Sequence, residues 1–118
     1  EKTENIFFHE DDYVEEVKRF IEVKYLNENF SIEYLCAMLH ISHSHLCRVF
    51  RKKEGVSVVS YINALKMTKA EELLKKTSLT VKEISYMCGF KEYEYFFSMF
   101  KKIHSVTPLQ YRKQKSGL

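Results

Sequence analysis

Apolar residues recur at spacings of three and four along most of the chain, which is the period of an amphipathic α-helix. In the first such segment, Asp11 or Asp12 can cap the start and the polar stretch 27–30 can end the helix. The apolar positions of this first helix are Val14, Val17, Phe20, Ile21 and Tyr25.

Two shorter helices are predicted next. Ser31 can cap the first of them, and after a turn at residues 40–41 Ser42 can cap the second. Gly55 can end the second helix, because glycine adopts the left-handed conformation that follows many helices at little cost. The apolar positions of the two helices are Ile32, Leu35, Cys36, Leu39, Leu46, Val49 and Phe50.

The rest of the chain predicts four more helices. A long one runs from Ser57 to near residue 76, and a T-x-x-E capping box at 80–83 begins a short one that ends at Gly89. Another is expected from about residue 92 to Ile103, with Phe96, Met99, Phe100 and Ile103 buried. A second capping box at 107–110 begins the last, with proline at the favoured first position. Seven helices and no strand pattern predict an all-α fold.

The chain contains an internal repeat. FRKKEGVSVVSY at 50–61 and FKKIHSVTPLQY at 100–111 are nearly the same, and upstream of them Ser31 corresponds to Thr80. Each copy has a capped short helix, a tight turn, a capped second helix and a basic pair, which is the helix-turn-helix pattern. The second helix of such a unit can lie in the major groove of DNA.

The repeat predicts the domain organisation. We expect a linker at 1–11, a first helix-turn-helix subdomain at 12–57, a connecting helix at 58–76 and a second subdomain with a C-terminal helix at 77–118. At about 1.5 Å per residue the connecting helix is roughly 28 Å long. This length is comparable with one turn of DNA, roughly 34 Å, so the connecting helix is expected to hold the two copies about one turn apart.

Charge is unevenly distributed along the chain. Residues 1–30 carry nine acidic and four basic residues, whereas residues 31–118 carry seven acidic and fifteen basic ones. A basic body behind an acidic lead favours a polyanionic partner for the body. A solvated lysine surface is the alternative, and charge alone does not separate the two.

Cysteine usage and the lack of catalytic motifs narrow the class of protein. The three cysteines form no C-x-x-C pair, so reduced thiols in a cytoplasmic protein are expected. No glycine-rich phosphate loop or catalytic triad is found, so an enzyme is not expected. Helical directions argue against a zinc site in the cluster of possible ligands, and neither a metal nor another cofactor is expected. That cluster is Cys36, His40, His43, His45 and Cys47.

Two further features concern the context of the chain. No apolar run approaches the roughly 18 residues that a membrane span needs, so no membrane association is expected. The chain opens at Glu1 rather than at methionine, and we expect it to be a piece of a longer protein.

Several motifs together resemble the DNA-binding region of AraC/XylS-family transcription regulators. They are S-x-x-x-L-x-R-x-F from Ser42, KKEG at 52–55, A-x-x-L-L from Ala70, I-S-x-x-C-G-F from Ile84, Y-F-x-x-x-F-K-K from Tyr95 and V-T-P-x-x-Y-R from Val106. The resemblance covers roughly residues 12–113. It implies a double helix-turn-helix domain that binds double-stranded DNA, with its two recognition helices in successive major grooves. It also implies activation through RNA polymerase and an effector or receiver domain upstream. We expect the isolated domain to be a monomer.

The resemblance also assigns candidate contacts. Arg48 is the strongest candidate for a base contact, because a guanidinium can donate two hydrogen bonds to guanine O6 and N7. The base-contact set is His43, Ser44, Cys47, Arg48, Tyr93, Glu94, Phe97 and Ser98. The phosphate-contact set is Ser42, Arg51, Lys52, Lys66, Lys101, Lys102 and Arg112.

Three departures from the family pattern lie in the second copy. Ser98 stands where an arginine is usual, and Glu94 places a negative charge on the surface expected to face DNA. Ser105 replaces a glycine at a position expected to need a left-handed backbone, at a cost of about 1–2 kcal/mol. The second copy is therefore expected to read fewer bases, or to read them by apolar contact through Tyr93 and Phe97.

Less specific interpretations stand beside these. Arg48 can make a pair within its own helix instead of a base contact. Phe96, Phe97 and Phe100 can suggest a platform on which single-stranded bases stack, although the first and last are better explained as core. The alternative for the whole chain is a helical protein-interaction module that has lost DNA reading.

Overall fold

The computed structural model describes residues 10–115, with side chains from residue 13 onwards. Seven α-helices and no strand occur in this range, as the sequence predicts. They are α1 (Glu10–Lys24), α2 (Ile32–Leu39), α3 (His43–Glu54), α4 (Val58–Lys76), α5 (Val81–Met87), α6 (Tyr93–His104) and α7 (Pro108–Lys115).

The start of α1 differs from the prediction. Asp11 and Asp12 lie inside the helix, which begins at Glu10, so neither is its cap. Acidic residues are favoured in a first turn by the helix dipole as well as at a cap, and the sequence alone does not separate the two positions. The remainder of the predicted linker, residues 1–9, lies outside the described residues.

The described part of the chain forms two compact units, which divide between residues 63 and 64 within α4. In the first unit, α1 packs on both α2 and α3. Its buried apolar residues, each at most 9% exposed, are Val14, Val17, Ile21, Leu35, Cys36, Leu46, Val49, Phe50, Val58 and Ile62. These include every inward position predicted for α3.

The second unit has its own apolar core around α6. Phe96 and Phe100 are fully buried in it, which excludes them from any exposed stacking platform. The buried members of this core are Met67, Ala70, Leu74, Ile84, Cys88, Phe90, Phe96, Phe100 and Tyr111.

The predicted burial of Ile103 is wrong, since its side chain is 57% exposed. The inward position at the end of α6 belongs to His104 instead. The ring of His104 lies 4.2 Å from that of Phe100, and its Nε2 lies 2.8 Å from Glu71 Oε2. A polar residue thus occupies a half-buried position that apolar periodicity assigned to its neighbour.

The ends of the repeated stretches contact each other in space. Phe50 packs edge-on against Tyr61, with ring centroids 5.4 Å apart. Phe100 packs edge-on against Tyr111 at 5.2 Å. Such aromatic pairs contribute about 0.5–1.5 kcal/mol beyond the area that they bury. In each unit, the pair therefore joins the second helix of the helix-turn-helix to the helix that follows.

Each copy also contains two left-handed residues at matching positions. The turn inside the helix-turn-helix has His40 (φ 54°) in the first copy and Gly89 (φ 92°) in the second. The residue after the second helix is Gly55 (φ 80°) in the first copy and Ser105 (φ 66°) in the second. Each copy therefore carries one glycine and one strained residue, in opposite order, and the left-handed backbone predicted at Ser105 is confirmed.

This exchange predicts opposite effects for reciprocal substitutions. Ser105→Gly should stabilise the protein by about 1 kcal/mol, because it removes the strain of a Cβ in the left-handed region. Gly55→Ser should destabilise it by a similar amount, since a Cβ there meets no atom within 4 Å and only backbone strain changes. Urea unfolding of both variants measures the difference. Equal signs for the two substitutions would contradict the strain argument.

Candidate nucleic-acid interface

The first unit holds α3 by its two ends and by one buried side. Ser42 Oγ accepts a hydrogen bond from the backbone N–H of His45 at 3.1 Å, as a helix cap does. At the other end the Gly55 N–H donates to the carbonyl of Arg51 at 2.8 Å. Because Leu46 and Phe50 are buried, the opposite side of α3 faces outward.

The four base-contact candidates of the first copy lie on this outward side. His43, Ser44 and Arg48 are exposed, and Cys47 is partly exposed. The structure thus brings together on one helix face the residues that the sequence assigned to base reading. Their contact with bases stays a prediction.

Arg48 does make a contact within its own helix, and its partner is a histidine. Arg48 Nη2 lies 2.8 Å from His45 Nδ1. A guanidinium has no acceptor, so it donates and the unprotonated Nδ1 of a neutral imidazole accepts. One of five guanidinium N–H groups is used in this way, which leaves four for other acceptors.

The cluster of cysteines and histidines is not gathered into a metal site. Cys47 Sγ lies 3.9 Å from His43 Nδ1, but Cys36 is buried in the first unit. Burial is the main cause that raises the pKa of the Cys36 thiol, as expected for a cysteine that packs as a small apolar residue. Within residues 10–115, no group of three or more possible ligands is placed to hold a metal ion.

The basic residues at the end of α3 fall into two groups, one that pairs with an acidic residue of α1 and one that is exposed. Lys53 Nζ lies 3.3 Å from Glu15 Oε2, and Lys18 of α1 lies 3.2 Å from Glu54 at the end of α3. The hydrogen bond from Lys53, followed by the charge of Lys18, lowers the pKa of the Glu15 carboxyl. These pairs tie α3 to α1. Arg51 and Lys52, which the sequence assigned to phosphate, are exposed at the same end.

The second unit presents α6 in a similar way with different chemistry outside. The Tyr93 and Phe97 rings lie 6.0 Å apart, and the Tyr93 ring is 6.5 Å from that of the buried Phe96. Tyr93 also packs against the core of the unit, whereas Phe97 is partly buried and does not belong to that core.

The polar residues of α6 add little positive charge near its start. Glu94 and Ser98 are exposed, and Glu92 precedes the helix without a side-chain cap hydrogen bond. Positive charge returns at the far end, where Lys101 and Lys102 are exposed. The side of α6 that matches the outward side of α3 therefore carries aromatic and acidic residues near the start of the helix and basic residues at its end.

Two residues assigned to phosphate contacts are directed into the second unit instead. Arg112 Nε donates to the carbonyl of Leu74 at 3.0 Å, and its Nη2 donates to the carbonyl of Thr77 at 3.1 Å. These carbonyls lie at the end of α4, where helix carbonyls lack partners within the helix. We therefore assign Arg112 a structural role in capping α4.

Lys66 has a comparable role at the end of α5. Its Nζ donates to the carbonyl of Gly89 at 3.0 Å and lies 5.5 Å from the centre of the Phe90 ring. Burial, and then the charge of Lys91, lower the pKa of Lys66. The geometry gives Lys66 and Arg112 partners on the main chain, so we leave both out of the proposed phosphate set.

Sequence reasoning missed one residue at the edge of the outward side of α3, His45. It lies between the buried and the exposed sides of α3, and its ring centroid is 6.4 Å from that of Tyr13 on α1. The spacing of three residues between His45 and Arg48 is a signal for contact within a helix. That signal was available in the sequence, but the choice of partner depends on α1.

Two helix-turn-helix units, each with an outward-facing second helix and a basic exit, define a double helix-turn-helix domain of the DNA-binding class. A family model described as "Helix-turn-helix domain" matches residues 35–114. The chain belongs to the AraC/XylS family of transcription regulators, to which this type of domain belongs.

Curated relatives agree with this assignment. The chain is 36% identical over 89 residues to the xylose operon regulatory protein of Escherichia coli K12. These residues make up 75% of this chain and 23% of that protein. It is 31% identical over 93 residues to the transcriptional activator RhaR of Cronobacter sakazakii. These residues make up 79% of this chain and 33% of that protein. The chain thus spans about a quarter to a third of the length of these relatives.

Solved structures are similar over almost the whole domain. The C-terminal domain of the two-component response regulator yesN from Fusobacterium nucleatum has a TM-score of 0.77 at 35% identity, and covers 83% of this chain and 95% of that one. The DNA-binding domain of AdpA, in complex with a target DNA, has a TM-score of 0.77 at 25% identity, with 88% and 93% covered.

Substitution by alanine should have different effects at Arg112, which contacts main-chain carbonyls, and at Arg51, which is exposed. Arg112→Ala should destabilise the protein by about 2–3 kcal/mol, because two main-chain carbonyls lose a charged donor. Arg51→Ala should leave stability within about 0.5 kcal/mol and lower the slope of log affinity for DNA against log salt by about 1. Thermal unfolding and salt titration test both variants side by side. A reduced salt slope with unchanged stability for Arg112→Ala would restore its assignment to phosphate.

Proposed function

We propose that the chain reads a specific double-stranded DNA site for a bacterial transcription regulator, with α3 and α6 each in one of two successive major grooves. One observation carries this proposal. In both units a buried phenylalanine, Phe50 or Phe100, turns the second helix so that its polar residues and its basic end are exposed together. A major groove about 12 Å wide admits one such helix.

In this proposal the first unit supplies the stronger base reading. Arg48 donates to guanine O6 and N7, while His43, Ser44 and Cys47 contact neighbouring base edges. Ser42, Arg51 and Lys52 contact phosphates on either side of the groove, which positions α3 without reading sequence.

The second unit reads by apolar contact. In this proposal Phe97 and Tyr93 touch the C5-methyl groups of thymines, which aromatic side chains can contact in the major groove. Glu94 can accept from cytosine N4, and Ser98 supplies a hydroxyl. Lys101 and Lys102 contact phosphate. We expect this unit to contribute less affinity, because it lacks an arginine at the position that matches Arg48.

The chain acts by binding rather than by catalysis, and we propose that it does so in the cytoplasm as one part of a larger regulator. The length of its relatives supports an effector or receiver domain elsewhere in the protein. One relative is described as a transcriptional activator, which supports activation, and we propose RNA polymerase as the partner through which it occurs. None of the described helices is both long and apolar enough to cross a membrane. We propose that the isolated domain is a monomer.

Binding of duplex DNA should fall steeply with salt. With about five phosphate contacts, affinity should drop by two to three orders of magnitude between about 50 and 200 mM salt. Fluorescence anisotropy with a duplex selected from a randomised library by the 118-residue chain measures this. Arg48→Ala should relax one base position in a repeated selection, at a cost of about 1–3 kcal/mol.

Lys53→Ala is the matched control, since Lys53 pairs with Glu15 and should leave base preference unchanged. Absent or salt-independent binding would favour the alternative, a helical protein-interaction module. An unchanged preference for Arg48→Ala would show that Arg48 does not read a base.

A further inference from the structure

We propose that His45 is a positioning residue that orients the guanidinium of Arg48 for base reading. This inference rests on the proposed function and deepens it. It concerns how the first reading helix obtains its specificity, and it assigns a role to a residue that does not itself contact DNA.

The geometry links three side chains from two helices. Arg48 Nη2 is 2.8 Å from His45 Nδ1, one helical turn away. His45 is itself held, since its backbone N–H donates to the capping Ser42 Oγ at 3.1 Å. On its other side the His45 ring lies 6.4 Å from the Tyr13 ring, tilted by 42°.

Tyr13 is fixed in turn by the first unit. Its hydroxyl donates to the carbonyl of Leu39 at 3.4 Å, at the end of α2. Burial is the main cause that raises the pKa of this hydroxyl, which agrees with a partly buried ring. The arginine at the reading face is therefore connected through His45 and Tyr13 to the packed part of the unit.

The chemistry of the contact suits an arginine that must also bind a base. His45 Nδ1 accepts one N–H, and four of the five guanidinium donors stay available for the two that guanine needs. A long side chain loses rotamer freedom when it binds, and a contact that restricts it beforehand lowers that cost. The restriction also favours one direction of the fork, and hence one base position.

The second unit does not have this arrangement. The positions that match His45 and Arg48 are Tyr95 and Ser98. Tyr95 is 52% exposed, and its ring lies 6.4 Å from that of Phe90 in its own unit. The positioning contact is thus tied to the presence of an arginine and is not a general feature of the scaffold.

A double-mutant cycle tests the proposal. His45→Phe keeps a ring beside Tyr13 and removes the acceptor, whereas His45→Asn loses the ring and keeps an acceptor at the same number of bonds from Cβ as Nδ1. Each is measured alone and combined with Arg48→Ala, by anisotropy on the duplex selected by the wild-type chain. Thermal unfolding of every variant reports whether it is folded.

His45→Phe should weaken binding by about threefold to tenfold when Arg48 is present, and should have no further effect in the Arg48→Ala background. His45→Asn should bind within about twofold of wild type, because the acceptor is restored. Equal losses in both backgrounds, or no loss for His45→Phe, would overturn the positioning role.

The cycle also distinguishes this inference from the function on which it rests. If no duplex is enriched and none binds with a salt dependence, the proposed DNA reading itself fails. If a duplex is selected and Arg48→Ala weakens its binding, but His45→Phe is equally harmful without the arginine, only the role of His45 fails.

Discussion

The structure depends on one repeated constraint, an aromatic anchor that closes each reading helix onto the helix after it. Phe50 and Phe100 are fully buried, and each packs edge-on against the tyrosine that ends its repeated stretch. A helix that buries one side in this manner must present the other. The repeat in the sequence is thus the repeat of a packing contact, and the DNA-reading faces follow from it.

The aromatic contact does not restrict the outward residues of the two helices, and these residues differ between the units. The first presents Arg48 with a histidine beside it, and the second presents Phe97 beside Tyr93. A guanidinium recognises acceptors on guanine, whereas an aromatic ring recognises a methyl group. Because the inward residues carry stability and the outward residues are the ones that we propose for recognition, the outward sides can diverge without loss of the scaffold.

Features that depend on local chemistry could be predicted from the sequence. The caps at Ser31, Ser42 and Thr80 need only neighbouring backbone groups, and they form as expected. Features that depend on distant partners could not be predicted. The hydrogen bonds from Arg112 were not predicted, because nothing in the sequence places the carbonyls of Leu74 and Thr77 beside it. The exposure of Ile103 was not predicted, because the inward position belongs to its neighbour His104, which contacts the distant residue Glu71.

We propose that one scaffold reads two half-sites by different chemistry, and base analogues in the selected duplex provide a test. In one half, 7-deazaguanine removes the N7 acceptor proposed for Arg48, and in the other half uracil removes the thymine methyl. We expect deazaguanine to weaken binding only in the half that Arg48→Ala relaxes, and uracil to weaken it only in the other. Equal sensitivity of both halves to deazaguanine, with none to uracil at any position, would contradict it.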